Sequence, residues 1–296
     1  MNPRNPPAAF GVAVLGIAIF AMMDAEMKQL SIALGAYNAL LWRSFIGVLI
    51  GGVFYAFGRM PWPSRPVLRL HIQRGVAGGG SVLLFFWGLA RVPLAQGVAL
   101  SFIAPLLALY LAAVLLKEKV GQRTVLASLL AFAGVVVILA GQARMELGPE
   151  ALKGSVAILV AASLYAYNII LLKRQALVAK PAEVAFFLNL VAGVMLALAA
   201  PWFAILPGAE HWPGLTASAV AAFVSLMLLA WAYARAEAQY LLPVEYTAFV
   251  WAALLGWWVF GETVSAPTIG GALMIVAGCL IAARRKGAPD GVAEPA

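Results

Sequence analysis

Ionisable side chains inside strongly apolar segments are the residues of this chain best suited to bind a charged ligand. Asp24 lies in an apolar run near the N-terminus, Arg43 lies in the next run, and Glu245 lies in a run near the C-terminal end. In hydrocarbon each such group costs about 2.5–3.5 kcal/mol or more, so it marks a ligand pathway or a buried partner. Arg43 could bind a carboxylate in the bidentate geometry that guanidinium favours, and Asp24 or Glu245 could face an ammonium group.

Polar and aromatic residues at comparable depths complete a candidate binding set. Tyr165, Tyr167 and Asn168 lie well inside one apolar run, whereas tyrosines that anchor a helix at the membrane surface lie at run ends. Trp42 lies deeper than an interfacial tryptophan, while for Trp87 a place in the interfacial aromatic belt is favoured over a cavity lining. The candidate binding residues are Asp24, Trp42, Arg43, Trp87, Ser101, Tyr165, Tyr167, Asn168, Glu245 and Tyr246.

The same charges also allow a purely structural interpretation. At ~1.5 Å of rise per residue, Asp24 and Arg43 fall at similar depths in the first two runs and could form an ion pair. Asp24 and Lys28 are four residues apart and could pair on one helix face. Lys28 and Glu26 could instead reach the outer membrane surface. A structural salt bridge and a ligand contact therefore both remain open for these groups.

Motifs for enzyme chemistry are missing from the sequence. His71 and His211 fall on opposite sides of the predicted topology and cannot share a metal ion. The single cysteine, Cys279, excludes an intramolecular disulfide and a thiolate cluster. The chain has no phosphate-binding Walker loop and no serine in a nucleophile elbow. We therefore expect no catalytic activity, no cofactor and no metal site.

Composition places the chain in a membrane. It is 64% apolar and 11% charged, whereas a soluble domain has roughly 25% charged residues. The net charge of +8 is spread over short loops, which is typical of membrane topology rather than of nucleic-acid binding. The sequence thus predicts a polytopic all-α membrane protein whose surroundings are lipid.

Ten apolar stretches are long enough to cross a bilayer, which takes about 20 helical residues. Their connections are short, so they form one compact bundle with no room for a soluble domain, and residues 287–296 are expected to be a disordered tail. The predicted spans are 9–29, 36–57, 70–90, 94–116, 121–141, 152–173, 182–205, 214–235, 239–260 and 265–283.

Basic residues orient these spans. With the N-terminus in the cytoplasm, most lysines and arginines fall on the inner side, as the positive-inside rule requires. The outer side then carries only Lys28, Arg91, Arg144 and Lys153. We therefore predict that both termini are cytoplasmic and that the protein lies in the cell inner membrane.

The chain repeats itself at a shift of 144 residues. Trp87 then falls on Trp231, Arg91 on Arg235, and Glu118 on Glu262. Each copy holds five apolar segments, and an odd number of spans forces the copies to enter the membrane from opposite sides. The predicted repeats are residues 1–144 and 145–286, and inverted repeats of this kind are typical of secondary transporters.

Prolines and glutamates mark the ends and bends of the repeated spans. Pro105 and Pro243 each remove a backbone hydrogen bond and are expected to bend their helices. Glu118 and Glu262 end their spans, and because a helix C-terminus disfavours a carboxylate, we expect them to cap neighbouring helix N-termini or bind loop backbone. Close helix packing is predicted from small-residue spacing at Gly47, Gly51, Gly75 and Gly79.

This pattern resembles the drug/metabolite transporter superfamily, specifically its ten-helix group built from two EamA-type domains. The resemblance covers nearly the whole chain and rests on the two repeats, the basic segment between spans 2 and 3, and the span ends at 104–118 and 248–262. Asp24 to Lys28 followed by 42–45 also looks like the first two helices of this group. Phe249 departs from it, because proline is usual there.

The resemblance implies a secondary transporter that moves a small organic molecule, and the chain looks most similar to YddG-type exporters of aromatic and other amino acids. We therefore expect a monomer that exports amino acids through a central cavity by alternating access. Protons are an additional candidate partner in this transport. Efflux of drugs or organic cations and riboflavin-type transport are the alternatives within this class. A passive channel or a membrane scaffold is the alternative outside it.

Overall fold

The computed structural model describes residues 6–58, 61–116, 122–144, 148–175, 178–233, 235, 241 and 244–283. Within these ranges the regular structure is entirely helical. A single 3-10 turn, Ala209–His211, precedes α10. The helices are α1 Pro6–Leu34, α2 Ala36–Phe57, α3 Arg65–Leu89, α4 Leu94–Ser101, α5 Ala104–Leu116, α6 Gln122–Arg144, α7 Gly148–Gln175, α8 Pro181–Ala197, α9 Ala200–Phe203, α10 Trp212–Tyr233, α11 Thr247–Phe260 and α12 Ala266–Ala283.

Length and composition confirm an all-α membrane protein. Four described helices are long and apolar enough to cross a bilayer: Pro7–Leu34, Ala36–Phe57, Gly148–Leu172 and Ala209–Ala232. Five shorter apolar helices accompany them: Leu94–Ala108, Ser128–Gly141, Glu183–Ala197, Thr247–Phe260 and Ala266–Ile281. The count of ten spans and the cytoplasmic termini stay predictions, and inner and outer below refer to that predicted topology.

Several predicted spans have different boundaries in the structure. Helix α1, for example, runs to Leu34 rather than to residue 29. The third helix begins at Arg65 rather than at residue 70, because Ser64 is its N-cap and a proline occupies its first turn. The predicted span 182–205 is wrong as one helix. Helix α8 ends at Ala197, and the short α9 follows with a proline in its first turn.

The fourth predicted span is broken into α4 and α5 at Phe102 and Ile103. Pro105 has no N–H group to bond to the carbonyl four residues earlier, so the helix cannot continue regularly. The amides of Phe102 and Ile103 instead bond to Ala99 and Leu100, three residues back, at 3.2 and 3.4 Å. The bend predicted at Pro105 is therefore confirmed.

A matching interruption occurs 144 residues later, where Tyr246 forms a turn directly before α11. Pro243, the expected cause of a bend here, lies outside the described residues. The rings of Phe102 and Tyr246 pack edge to face, with centroids 5.4 Å apart and planes at 89°. The two helix interruptions, which occupy equivalent positions in the sequence repeat, therefore meet inside the bundle.

Helices from the two halves of the chain interlock. Helix α1 packs on α10, and its repeat equivalent α7 packs on α3, the equivalent of α10. The remaining large contacts join α2 to α8 and α6 to α12, which are also repeat equivalents. A two-fold relation between the halves would produce this arrangement. The division into repeats at residue 144 stays a prediction.

Small residues permit the close approach of α2 and α3 to α8, as their spacing predicted. A Cβ atom on Gly47 of α2 would lie 2.5 Å from Oδ1 of Asn189. A Cβ atom on Gly79 of α3 would lie 3.0 Å from the Cβ of Ala192. Larger side chains at these positions would push α8 away from both helices.

Candidate functional site

Helix α1 carries two buried charges one turn apart. Asp24 is 7% exposed and Lys28 is 3% exposed, and the surrounding core of α1 is apolar. The segment is a long apolar run that forms a helix of 29 residues. A helix of this length is long enough to cross the bundle. The two charges therefore lie where water cannot solvate them freely, and their partners decide what each can do.

Lys28 has three partners at the outer end of the bundle. Its Nζ donates to the carbonyl of Val92 at 2.7 Å and forms an ion pair with Glu262. The same ammonium lies 4.8 Å from the ring centroid of Phe260. Lys28 thus pairs across the bundle with α11 and the turn before α4, rather than with Asp24 on its own helix.

Glu262 caps a neighbouring helix, which confirms the role predicted for it. Its Oε2 accepts the N–H of Leu94, the first residue of α4, at 2.7 Å. Helix α11 ends with Gly261 at φ 65°, and the amide of Glu262 bonds back to Gly256 at 3.0 Å. This glycine-dependent ending aims the carboxylate at α4. Its repeat equivalent, Glu118, lies outside the described residues.

Asp24 and Arg43 lack such partners. The two side chains interact electrostatically, but no salt bridge joins them, and among the described residues neither makes a hydrogen bond. The ion pair considered from the sequence is therefore not formed. Arg43 is half-buried on α2 and has five N–H donors to offer, while the Asp24 carboxylate offers only acceptors.

Trp42 lies beside Arg43 but is held by the outer segment between α9 and α10. Its indole N–H donates to the carbonyl of Ile205 at 2.9 Å. Asn38, one turn earlier on α2, accepts the amide of Ile205 at 2.8 Å. The ring of Trp42 also packs on that of Trp212 with centroids 5.5 Å apart. Trp42 therefore fixes the outer segment next to Arg43, and its substrate contact stays a prediction.

Asn168 belongs to a second polar group that sequence reasoning missed. It is buried, and its Oδ1 accepts a hydrogen bond from Nε of Arg74 at 3.0 Å. Arg74 also donates to Oε1 of Gln175 at 2.8 Å. The positive-inside rule alone assigns Arg74 to the topological charges of the inner side, yet it is 7% exposed. The spacing of Asn168 and Gln175, two helical turns apart on α7, was the available signal.

The two tyrosines of α7 lie on different faces of the helix. Tyr165 lies within electrostatic range of Arg74 and of Glu245, but it is 49% exposed. Tyr167 follows two residues later and therefore lies about 200° around the helix from Tyr165. Arg74 therefore lies near both Asn168 and Tyr165, whereas Tyr167 lies on another face of α7.

Ser101 and Tyr246 lie at the two helix interruptions. The Ser101 hydroxyl donates to the carbonyl of Val98 in its own helix at 2.7 Å. Tyr246 packs on Phe102 and lies next to the side chain of Cys279. The Cys279 thiol in turn donates to the Phe102 carbonyl at 3.3 Å. These contacts hold the two interruptions together, and ligand binding by Ser101 and Tyr246 stays a prediction.

Trp87 and its repeat equivalent Trp231 carry matching arginines. The guanidinium of Arg91 lies 3.6 Å from the ring centroid of Trp87, and that of Arg235 lies 4.1 Å from Trp231. Each arginine also donates to the backbone carbonyl of its tryptophan, at 2.7 and 3.1 Å. Such pairs at helix ends fit the interfacial position that was favoured for Trp87.

Metal binding finds no support in the part of the chain that the structure describes. No group of three or more His, Cys, Asp or Glu side chains there could hold a metal ion.

The candidate site consists of two polar groups. The first is Asp24 with Arg43, and the second is Arg74 with Asn168, Gln175 and Tyr165.

Known proteins that are similar to this chain are transporters. The chain is 25% identical over 279 residues to the pseudopaline exporter CntI of Pseudomonas aeruginosa (strain UCBPP-PA14), covering 93% of this chain and 95% of that protein. It is 25% identical to the S-adenosylmethionine uptake transporter of Rickettsia bellii, covering 93% and 94% of the two chains. It is 29% identical to the riboflavin transporter of Vibrio cholerae, covering 64% of this chain and 63% of that one.

A solved structure, described only as a crystal structure of a protein, shares the fold with a TM-score of 0.61 and 22% identity, covering 94% of this chain and 98% of the other. The model of the EamA-like transporter family matches twice, at residues 8–140 and 152–284. Members of this family and the relatives above are transporters and not enzymes. The chain therefore belongs to the EamA-like transporter family.

Proposed function

We propose that this transporter exports small zwitterionic metabolites, above all amino acids including aromatic ones, across the inner membrane. One observation carries the proposal. Asp24 and Arg43 are opposite charges inside the bundle, close enough to interact electrostatically but not bonded to each other. A zwitterion supplies the missing partner for both groups at once.

The chemistry of the head group fits this pair. An α-carboxylate can take two parallel hydrogen bonds from the Arg43 guanidinium, and an α-ammonium can donate to the Asp24 carboxylate. Because both protein charges contact the head group, the substrate side chain is left to apolar surroundings. This predicts selection for the amino-acid head group and tolerance of varied side chains.

The relatives are compatible with this chemistry without determining it. S-adenosylmethionine, the substrate named for the Rickettsia bellii relative, carries an amino-acid head group. Riboflavin, named for the Vibrio cholerae relative, does not. Riboflavin-type transport is therefore the second candidate, and it would make no use of an ammonium-binding Asp24.

Movement of the two halves supplies the transport step. The large helix contacts run between halves, and the interrupted helices meet at Phe102 and Tyr246. In transporters built from inverted repeats, one repeat rocks against the other around a site near discontinuous helices. We infer alternating access on this basis, with Asp24 and Arg43 exposed in turn to each side.

The test is counterflow in liposomes containing the full chain, loaded with unlabelled amino acid and supplied with labelled amino acid outside. Tryptophan, phenylalanine and leucine are compared with S-adenosylmethionine, riboflavin and an organic cation. We expect saturable amino-acid exchange that excess zwitterion blocks and that amidated or N-acetylated amino acids do not block. Exchange of riboflavin or of the cation alone would contradict the proposal, and flux that does not saturate would indicate a channel.

A further inference from the structure

A chain of hydrogen bonds joins α3 to α7 and α8 on the predicted inner side. Arg74 of α3 donates to Oε1 of Gln175 on α7 at 2.8 Å. The other end of the Gln175 amide, Nε2, bonds to Nδ1 of His71, one turn before Arg74 on α3. Nε2 of His71 then lies 3.0 Å from Oε1 of Glu183 on α8. The chain therefore runs from a permanent cation to a carboxylate through one amide and one imidazole.

The first link determines the direction of every later one. A guanidinium can only donate, so the atom of Gln175 that faces Arg74 must be its carbonyl oxygen. The amide NH₂ then faces His71, and because an NH₂ group can only donate, Nδ1 of His71 must accept. Nδ1 therefore carries no proton. His71 is a neutral imidazole whose single proton lies on Nε2 and is donated to Glu183.

Protonation would break this arrangement at a defined atom. A proton added at Nδ1 would place an N–H group against the NH₂ group of Gln175. Rotating the amide would turn its carbonyl towards His71 but would place the NH₂ against Arg74, which again opposes two donors. Either way a bond between α3 and α7 is lost, while the imidazolium gains charge attraction to Glu183 on α8.

The groups that face His71 from each packed helix are few. From α7 it faces Gln175, and from α8 it faces Glu183 and the ring of Phe187, which stacks on the imidazole with centroids 4.4 Å apart. Tyr55 of α2 interacts electrostatically with Glu183. Arg74 is the nearby cation, reached through Gln175. His71 itself is 1% exposed.

We propose that His71 is a proton-binding site through which inner-side pH changes the packing of α3 between α7 and α8. The neutral form belongs to the conformation described here, and proton uptake at Nδ1 favours a different one. Glu183 is more exposed than His71, with 13% of its side chain accessible. Because α3 lies in the first half of the chain and α7 and α8 in the second, the proton acts on the movement between halves.

The tautomer can be observed directly, without any transport assay. The chain has only two histidines, so the variant His211→Gln, labelled with ¹⁵N-histidine and held in lipid, leaves a single imidazole to observe. At about pH 8 we expect the neutral Nε2–H tautomer, and acidification to about pH 5 should add a proton at Nδ1. The Nδ1–H tautomer, or an imidazole that stays unchanged over this range, would overturn the proposal.

The functional consequence rests on the proposed transport and is tested with the same liposomes. Changing the pH on the inner side between about 5 and 8 should alter the exchange rate roughly tenfold, within the usual range of coupling between two ligand sites. His71→Gln retains one donor and one acceptor but cannot gain charge, so its exchange rate should vary less than about twofold over the same range. His211→Gln is the matched control and should behave as the original chain.

Failure of the two proposals can be told apart. Loss of amino-acid exchange at every pH in the original chain would refute the proposed substrate and leave the NMR result unaffected. Normal exchange whose pH dependence survives in His71→Gln would overturn the proton site alone.

Discussion

Lys28 and Asp24 lie one turn apart on α1, yet the protein treats them differently. Lys28 is bonded to Val92 and Glu262 and lies near the ring of Phe260. Among the described residues Asp24 makes no hydrogen bond or salt bridge and interacts only electrostatically with Arg43. A buried charge that is already bonded to an opposite charge favours one arrangement, whereas a buried charge without hydrogen bonds can gain them from a ligand. Two charges with similar sequence surroundings thus serve the fold and the proposed substrate separately.

Removing Lys28, the positive charge of the ion pair with Glu262, should have the largest effect on stability. Lys28→Met leaves the partly buried Glu262, 20% of whose side chain is exposed, without its cation. Breaking a fully buried pair costs about 3–5 kcal/mol, so the loss here should lie towards the lower end of that range. We expect a large fall in thermal stability of the purified protein in detergent. The double variant Lys28→Met with Glu262→Gln should recover part of this loss, as a double-mutant cycle would measure. Additive losses would show that the two side chains act independently.

Removing one of the unsatisfied charges should affect transport instead of stability. Arg43→Gln is expected to weaken binding of amino acid by about 2–5 kcal/mol, which is roughly 30-fold or more. Asp24→Asn should weaken binding of the zwitterion in the same way. The measurement is the concentration of amino acid that half-saturates exchange, together with thermal stability.

Arg91→Gln is the matched control for Arg43→Gln, because Arg91 lies at the outer end of α3 beside Trp87. Its exchange should be unchanged. If Arg43→Gln lowers stability as much as Lys28→Met does and leaves exchange intact, the contrast between the two regions is wrong.

The second polar group tests whether removing a neutral member of a hydrogen-bond network lowers stability less than removing a buried charge does. Asn168→Ala removes the acceptor for Nε of Arg74 and should cost about 1–3 kcal/mol of stability, the usual penalty for an unsatisfied buried group. Tyr167→Phe, on another face of the same helix, is the control and should be close to neutral. A neutral result for Asn168→Ala would place the Arg74 guanidinium in contact with water.

The smallest effect is expected at the two arginine–tryptophan pairs. Trp87→Leu and Trp231→Leu should each lose about 0.5–1 kcal/mol from the ring contact with arginine, and Trp87→Leu should cost more in total because Trp87 also packs against the apolar core. Arg91 also contacts Glu150 at 3.3 Å, so Arg91→Gln should cost slightly more than Arg235→Gln. Thermal denaturation of the four variants makes the comparison. The reverse order would indicate that the Glu150 contact contributes nothing.

Features that depend on nearby residues were predictable from the sequence. The bend at Pro105 follows from one missing N–H group, and the approach of α8 to Gly47 follows from the absent side chain. The cap at Glu262 follows from the poor fit of a carboxylate to its own helix end. Each of these depends on local chemistry that any tertiary arrangement must accommodate.

The residues to which the charged side chains bond were less predictable from the sequence. From spacing alone, Lys28 could pair with Asp24 or reach the outer surface, but in the structure it pairs with a residue 234 positions away. Arg74 looked like a topological charge, and only its burial against α7 showed it as part of a network. The end of α8 at Ala197 was missed because the apolar run continues beyond it.

The sequence by itself determined the membrane class, most of the helices and the set of charges that lipid could not tolerate, because apolar length and ionisable groups are local properties. Tertiary structure decided which of those charges are satisfied. Hydrogen bonds act over about 3 Å, so the roles of Asp24, Lys28, Arg43 and His71 depend on how helices distant in the sequence come together.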